Sequence, residues 1–108
     1  MPENRVSLQE TSGVPALAIG SDTWPGLGKL MEECGELIQV CAKLLAYPES
    51  PHPDGSDLPA RLIEEMGDVT GALWFVQNAN GDTDYQRAVE NRAVQKYARF
   101  CNWHREAA

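Results

Sequence analysis

Residues 29–43, KLMEECGELIQVCAK, and residues 61–68, RLIEEMGD, decide the fold predicted for this chain. Each stretch carries two acidic residues three positions apart beside a stripe of apolar residues. Residues of a helix turn by about 100° each, so residues three apart share one face. We therefore predict two amphipathic helices whose carboxylates converge at the edge of a shared apolar seam. The acidic residues that form these pairs are Glu33 and Glu36 in the first stretch and Glu65 and Asp68 in the second.

Four carboxylates in a low-dielectric seam need a counter-charge in order to stay ionised. Mg²⁺ is suited to this because it takes oxygen ligands and keeps several waters that a phosphate can replace. Either acidic pair alone is typical of a solvated helix face. Both pairs, however, lie beside the apolar stripe, and the same geometry occurs on two neighbouring helices. The pattern therefore predicts a magnesium site.

The composition is that of one globular domain, with 108 residues of which 43% are hydrophobic and 23% charged. The net charge of −7 is opposite in sign to the basic surface that binds nucleic acid. No apolar run approaches the roughly 20 residues of a membrane span. The three cysteines are typical of buried thiols in a reducing compartment. We expect a cytoplasmic protein that binds neither nucleic acid nor a membrane.

The chain divides into an N-terminal arm, residues 1–23, and a helical domain, residues 24–108. The arm shows no sustained period, and residues 48–57, PESPHPDGSD, form a loop because of their prolines and glycine. The first predicted helix follows possible caps at Ser21, Asp22 and Thr23 and ends at Tyr47–Pro48. The second runs from a cap at Asp57 to about Ala79. The third runs from Tyr85 to roughly Arg105.

The predicted fold class is all-α, with three long helices. Three helices with such broad apolar faces do not close a four-helix core alone. We therefore expect a homodimer or a homotetramer in which a second chain completes a four-helix-bundle-type core. Gly67 and Gly71 lie inside the second helix and each weakens it by about 1 kcal/mol relative to alanine. A close helix crossing or access for a ligand would justify them.

The segments EECGE, residues 32–36, and EEMGD, residues 64–68, resemble the E-E-x-x-E and E-x-x-D signature of the MazG-like all-α nucleoside triphosphate pyrophosphohydrolases. The likeness covers roughly residues 24–100. It implies hydrolysis between the α and β phosphates of a (deoxy)nucleoside triphosphate, which yields the monophosphate and pyrophosphate. It also implies Mg²⁺ as the cofactor, with Mn²⁺ as a possible substitute.

The resemblance assigns roles to five acidic residues. Glu33 and Glu36 match the first pair of metal ligands, and Glu65 and Asp68 match the second pair. Glu32 matches the leading glutamate, which orients a metal-bound water or acts as the general base. The metal in such a site neutralises phosphate charge and activates the water that attacks phosphorus.

Three basic residues are candidates for binding the phosphates. Lys43 lies two turns after Glu36 on the same helix face. Lys96 and Arg99, on the third helix, resemble the basic C-terminal helix that closes over the triphosphate in this family. Each is equally typical of a surface cation that pairs with the acidic excess.

Trp74 and Asn78 are candidates for recognising the base, by stacking and by hydrogen bonds from the amide. Aromatic residues on helices are, however, more often part of a core or a subunit interface. A di-iron bundle is disfavoured because no histidine follows either acidic pair. The alternative class is a non-enzymatic helical oligomerisation or adaptor module, in which the acids only solvate the surface.

Overall fold

The structure is a computed structural model that describes residues 23–48 and 52–107. These residues form three helices and no strand, which confirms the predicted all-α class: α1 (Leu27–Ala46), α2 (Leu58–Asn80) and α3 (Thr83–Ala107). Apart from Thr23, the predicted N-terminal arm lies outside the described residues. None of the helices in the described ranges combines the length and apolar character that a membrane crossing requires.

The start of α1 differs from the prediction. Its N-cap is Gly26, which has a φ of 87° and makes no capping bond through a side chain. Of the predicted caps, Ser21 and Asp22 lie outside the described residues, and Thr23 precedes the cap by three positions. Glycine is required at position 26 because a Cβ there would lie 2.5 Å from Phe75 Cδ1. Close packing against α2 therefore favours glycine at the start of α1.

The start of α2 follows the predicted chemistry. Asp57 Oδ1 accepts a hydrogen bond of 3.1 Å from the backbone nitrogen of Ala60, and proline occupies the first turn. The start of α3 is capped in the same way, since Asp82 Oδ1 accepts from the backbone nitrogen of Tyr85 at 3.0 Å. Both helices therefore begin at an aspartate that satisfies a free N–H group of the first turn.

The helices α1 and α2 form an antiparallel hairpin, and Asn80 Nδ2 donates to Pro25 O at 2.8 Å where the end of α2 meets the start of α1. α3 continues from α2, and Gln86 Nε2 donates to Asn78 Oδ1 at 2.7 Å. In the described part of the chain the buried hydrophobic residues are few, and α3 contributes none. They are Val40, Leu58 and Val76.

The prediction that all four acids lie at the edge of an apolar seam is wrong for Glu65. This residue is 3% exposed, whereas Met66 and Leu73 of the predicted stripe are 47% and 40% exposed. The face of α2 that meets α1 is rotated from the predicted one, and its helical spacing places Glu65 in the middle between Leu58 and Val76. The hairpin therefore buries a carboxylate at its centre.

Candidate metal centre

The four predicted carboxylates come together where α1 and α2 face each other. One carboxylate oxygen from each of four residues lies within 4.8 Å of all the others. Each helix supplies a pair at i and i+3, so the helical repeat places both members of a pair on one face. The four residues are Glu33, Glu36, Glu65 and Asp68.

Glu65 is the most buried member of this cluster. Its Oε1 accepts a hydrogen bond of 3.0 Å from Arg61 Nη2, while its buried Oε2 has no hydrogen-bond partner. Burial raises the pKa of Glu65 above its ordinary value, and the nearby Glu36 carboxylate raises it further. The Arg61 guanidinium opposes this shift only in part. Arg61 therefore compensates the charge of the Glu65 carboxylate only in part.

Glu33, on α1, also has a carboxylate whose charge is not fully compensated. Its Oε2 is buried without a partner. Burial raises the pKa of Glu33, followed by repulsion from Glu36 and then from Asp68. A divalent cation with oxygen ligands would satisfy both orphaned oxygens and stabilise the ionised forms. The donor set therefore fits Mg²⁺ or Mn²⁺.

Two cavities adjoin the cluster. One, of about 460 Å³, is mainly apolar and is lined by Gly67, Gly71 and Phe75 together with Glu33 and Asp68. The other, of about 640 Å³, is mainly polar and lies between α1, α2 and the loop before α2. Its lining includes Glu36, Lys43, Asp54, Ser56, Arg61 and Glu65. The carboxylate cluster thus lies between a mainly apolar cavity, whose lining also includes Lys29, and a polar cavity that contains two cations.

Glu32 and Lys43 lie about three turns apart on the same face of α1, since residues eleven apart on a helix differ by only about 20°. Glu32 is exposed and accepts a hydrogen bond of 2.9 Å from Lys29 Nζ, which raises the pKa of Lys29. It is not a member of the four-carboxylate cluster. Lys43 lines the polar cavity, where its Nζ lies 3.7 Å from Asp54 Oδ2. The general-base role of Glu32 and the phosphate-binding role of Lys43 stay predictions, and the geometry favours the second more than the first.

The two basic candidates on α3 lie away from the cluster within one chain. Neither Lys96 nor Arg99 lines the two cavities beside the carboxylates. Lys96 Nζ instead lies 5.9 Å from the centre of the Phe100 ring. Their predicted contact with phosphate therefore requires a second copy of the chain or a movement of α3.

The two residues predicted to recognise a base do not line either cavity. Asn78 is buried, and its amide donates to Trp74 O at 2.9 Å and accepts from Gln86. Phe75, which follows Trp74 on α2, lines the apolar cavity instead. A base-binding role for Trp74 or Asn78 stays a prediction, although the hydrogen bonds of Asn78 are already made within the chain.

Sequence reasoning missed Arg61 as a member of the site, and for stacking on the base it selected Trp74 rather than the neighbouring Phe75. The signal for Arg61 was its position four residues before Glu65, since opposite charges at i and i+4 meet on one helix face. Phe75 had no such signal, because the helical period cannot distinguish an aromatic residue beside a cavity from one in a core.

No family model, curated protein or solved structure matches this chain. Its function is therefore inferred from the chemistry of the site.

Proposed function

We propose that this protein hydrolyses (deoxy)nucleoside triphosphates to the monophosphate and pyrophosphate in the presence of Mg²⁺. The observation that carries the proposal is the set of four carboxylates, from two helices, whose oxygens lie within 4.8 Å of one another between an apolar and a polar cavity. The E-E-x-x-E and E-x-x-D resemblance supports the same activity. The two orphaned carboxylate oxygens support the presence of a cation.

Glu33, Glu36, Glu65 and Asp68 are the residues that would hold the ion. When bound, Mg²⁺ supplies neutralisation of phosphate charge and a lowered pKa for a coordinated water. The protein's own part is to position the phosphates, since phosphoryl transfer depends mainly on alignment and electrostatics. Lys43 provides a cation for this purpose in the polar cavity.

The two cavities suggest how the substrate is oriented. We assign the nucleoside to the mainly apolar cavity, whose volume of about 460 Å³ lies within the usual range for small-molecule sites. Phe75 offers an aromatic surface there. Gly67 and Gly71 leave the wall open, because a Cβ added to either glycine would meet no non-local atom within 4 Å. The phosphates would extend past the carboxylates into the polar cavity.

The test is a panel of canonical and modified nucleoside triphosphates incubated with the protein and Mg²⁺. We expect the monophosphate and pyrophosphate to appear in equal amounts, and we expect a chelator to abolish the reaction. Release of orthophosphate instead of pyrophosphate would contradict the proposed bond cleavage. No turnover across the panel, together with no change in melting temperature on addition of Mg²⁺, would overturn the proposal.

A second observation bears on assembly. Large hydrophobic side chains are exposed on all three helices, including Leu45 at 86%, Ile63 at 70% and Tyr97 at 71%. Burial of such surface against a second copy is the usual solution for amphipathic helices. We therefore propose a homodimer or homotetramer. The same surface favours the alternative function of a non-enzymatic oligomerisation module, which the nucleotide panel distinguishes from a hydrolase.

A further inference from the structure

Arg61 connects the carboxylate cluster with the polar cavity. Its Nη2 donates to Glu65 Oε1 at 3.0 Å, and its Nη1 lies 3.7 Å from Glu64 Oε2. The Arg61 side chain is 49% exposed, whereas that of Glu65 is 3% exposed. The guanidinium therefore lies at the mouth of the polar cavity and neutralises a carboxylate at its base.

Glu65 is not satisfied by this one contact. Its Oε2 is buried and has no partner, and the residue lines the polar cavity. Buried carboxylates are normally paired or bound to a metal, because an uncompensated buried charge is strongly unfavourable. Arg61 thus stands where a divalent cation bound to the cluster would also place positive charge. A divalent cation at Glu65 Oε2 and the guanidinium at Oε1 would repel each other, so the binding of one weakens the binding of the other.

We propose that Arg61 is an exchangeable counter-ion that couples metal binding to phosphate binding. In the metal-free protein its guanidinium donates a hydrogen bond to Glu65 Oε1. When a divalent cation occupies the cluster, Arg61 leaves Glu65 and binds the terminal phosphates of the substrate, together with Lys43. This inference rests on the proposed function, since it requires a cation at the four carboxylates.

The charges that line the polar cavity explain why phosphate binding requires a divalent cation. Acidic side chains outnumber the two cations there, so a free anion is repelled. Once a divalent cation is bound, the released guanidinium presents a planar fork that matches two phosphate oxygens. Lys43 is already held toward the cavity by Asp54, whose carboxylate accepts hydrogen bonds from the backbone nitrogen and Oγ of Ser56. Inorganic pyrophosphate should therefore bind tightly only with the metal present.

The test compares Arg61→Gln with the intact protein in two binding measurements. Mn²⁺ binding is followed through the electron paramagnetic resonance signal of the free ion, and pyrophosphate binding is followed by calorimetry at saturating Mn²⁺. We expect Arg61→Gln to bind Mn²⁺ alone severalfold more tightly, because the competing cation is gone. We expect its pyrophosphate affinity to fall about tenfold, the usual effect of losing hydrogen bonds to a charged group.

Two further variants make the result specific. Arg61→Lys keeps the charge without the planar fork, so it should retain the Mn²⁺ affinity of the intact protein and bind pyrophosphate with intermediate strength. Arg87→Gln removes an arginine on α3 whose partner Asp84 is exposed, and it should change neither affinity. Circular dichroism and thermal unfolding at saturating Mn²⁺ establish that each variant is folded.

Tighter Mn²⁺ binding together with weaker pyrophosphate binding in Arg61→Gln distinguishes this role from a structural one. If Arg61→Gln weakens both Mn²⁺ and pyrophosphate binding, or alters neither, the exchange is overturned while the metal site stands. If the intact protein binds no Mn²⁺, the proposed metal centre fails first and the exchange fails with it. Turnover of nucleotides by a protein in which Arg61→Gln alters neither affinity would retain the proposed function and reject only the role of Arg61.

Discussion

Asn80 Nδ2 donates hydrogen bonds of 2.8 Å both to Pro25 O and to Val76 O. This side chain joins the end of α2 to the segment just before α1, although the two are 55 residues apart. The contact holds Gly26 against Phe75, which lines the apolar cavity beside the carboxylates. The open end of the α1–α2 hairpin, opposite its connecting loop, and the shape of the candidate site therefore depend on the same few atoms.

Gly26→Ala should destabilise the protein more than Gly55→Ala does. Both glycines have a positive φ, at 87° and 85°, which is unfavourable for alanine by about 1–2 kcal/mol. At Gly26 the new Cβ would also collide with Phe75, whereas nothing lies within 4 Å at Gly55. Urea unfolding measures the difference. Equal losses of free energy of unfolding would show that the contact with Phe75 is unimportant.

Glu36→Gln and Asp68→Asn should each abolish pyrophosphate release while helix content is unchanged. Each substitution removes a charged donor from the cluster whose oxygens lie within 4.8 Å of one another. Pyrophosphate assays and circular dichroism test the two parts of the statement. Glu90→Gln, at an exposed position of α3, is the matched control and should retain activity. Full activity in both cluster variants would remove the metal-site assignment.

The metal-free protein should lose stability as the pH rises above about 4.5, the ordinary pKa of a glutamate. The pKa values of Glu33 and Glu65 are raised in the folded state, so the folded protein binds more protons than the unfolded chain at pH values above about 4.5. The free energy of unfolding then falls as the pH rises through the raised pKa values. The lowered pKa of Asp54 acts with the opposite sign, but below about 3.8 and therefore outside this window.

Thermal unfolding in a chelator across this pH range provides the measurement. Glu65→Gln should reduce the slope, because it removes one of the two responsible carboxyl groups. Saturating Mg²⁺ should raise the melting temperature more at pH 7 than at pH 5, since the ion binds the deprotonated cluster. A melting temperature that rises with pH in the intact protein, unchanged by Glu65→Gln, would contradict the raised pKa values of the two glutamates.

Gly71→Leu should weaken nucleotide binding without weakening the fold. The side chain would extend into the apolar cavity, where no non-local atom lies within 4 Å of the Cβ position. Replacing a glycine within a helix by leucine should also stabilise the helix by about 1 kcal/mol. We expect KM for nucleotides to rise at least severalfold, while pyrophosphate binds as before. Thr70→Leu, one position away and outside the cavity, is the control, and an unchanged KM in Gly71→Leu would place the nucleoside elsewhere.

The intact chain should sediment as a dimer or tetramer at micromolar concentration. Val94 is 68% exposed on α3, a helix with no buried residue in the described chain. Val94→Asp should shift the mass toward the monomer, because it places a charge in the buried contact. Glu90→Gln, one turn away on the same face, introduces no charge and should not shift it. A clean monomer of the intact protein would exclude the oligomer.

Interactions between residues close in sequence account for the features of this protein that could be predicted from its sequence. The hydrophobic period, the prolines and the capping aspartate at position 57 predicted α2 almost to the residue, and the i, i+3 spacing predicted which acids share a face. These features depend on contacts within a few residues, which helical geometry determines directly. The same spacing predicted that four carboxylates would meet.

Tertiary packing decided the rest. The rotation of α2 about its own axis buried Glu65 and left Met66 exposed, and it brought Arg61 to the polar cavity. It also required glycine at position 26 because Phe75 lies against it. The helical period predicts which residues share a face, but it does not predict which face a neighbouring helix covers. That choice follows from side-chain volumes on both helices, which only the packed hairpin brings into contact.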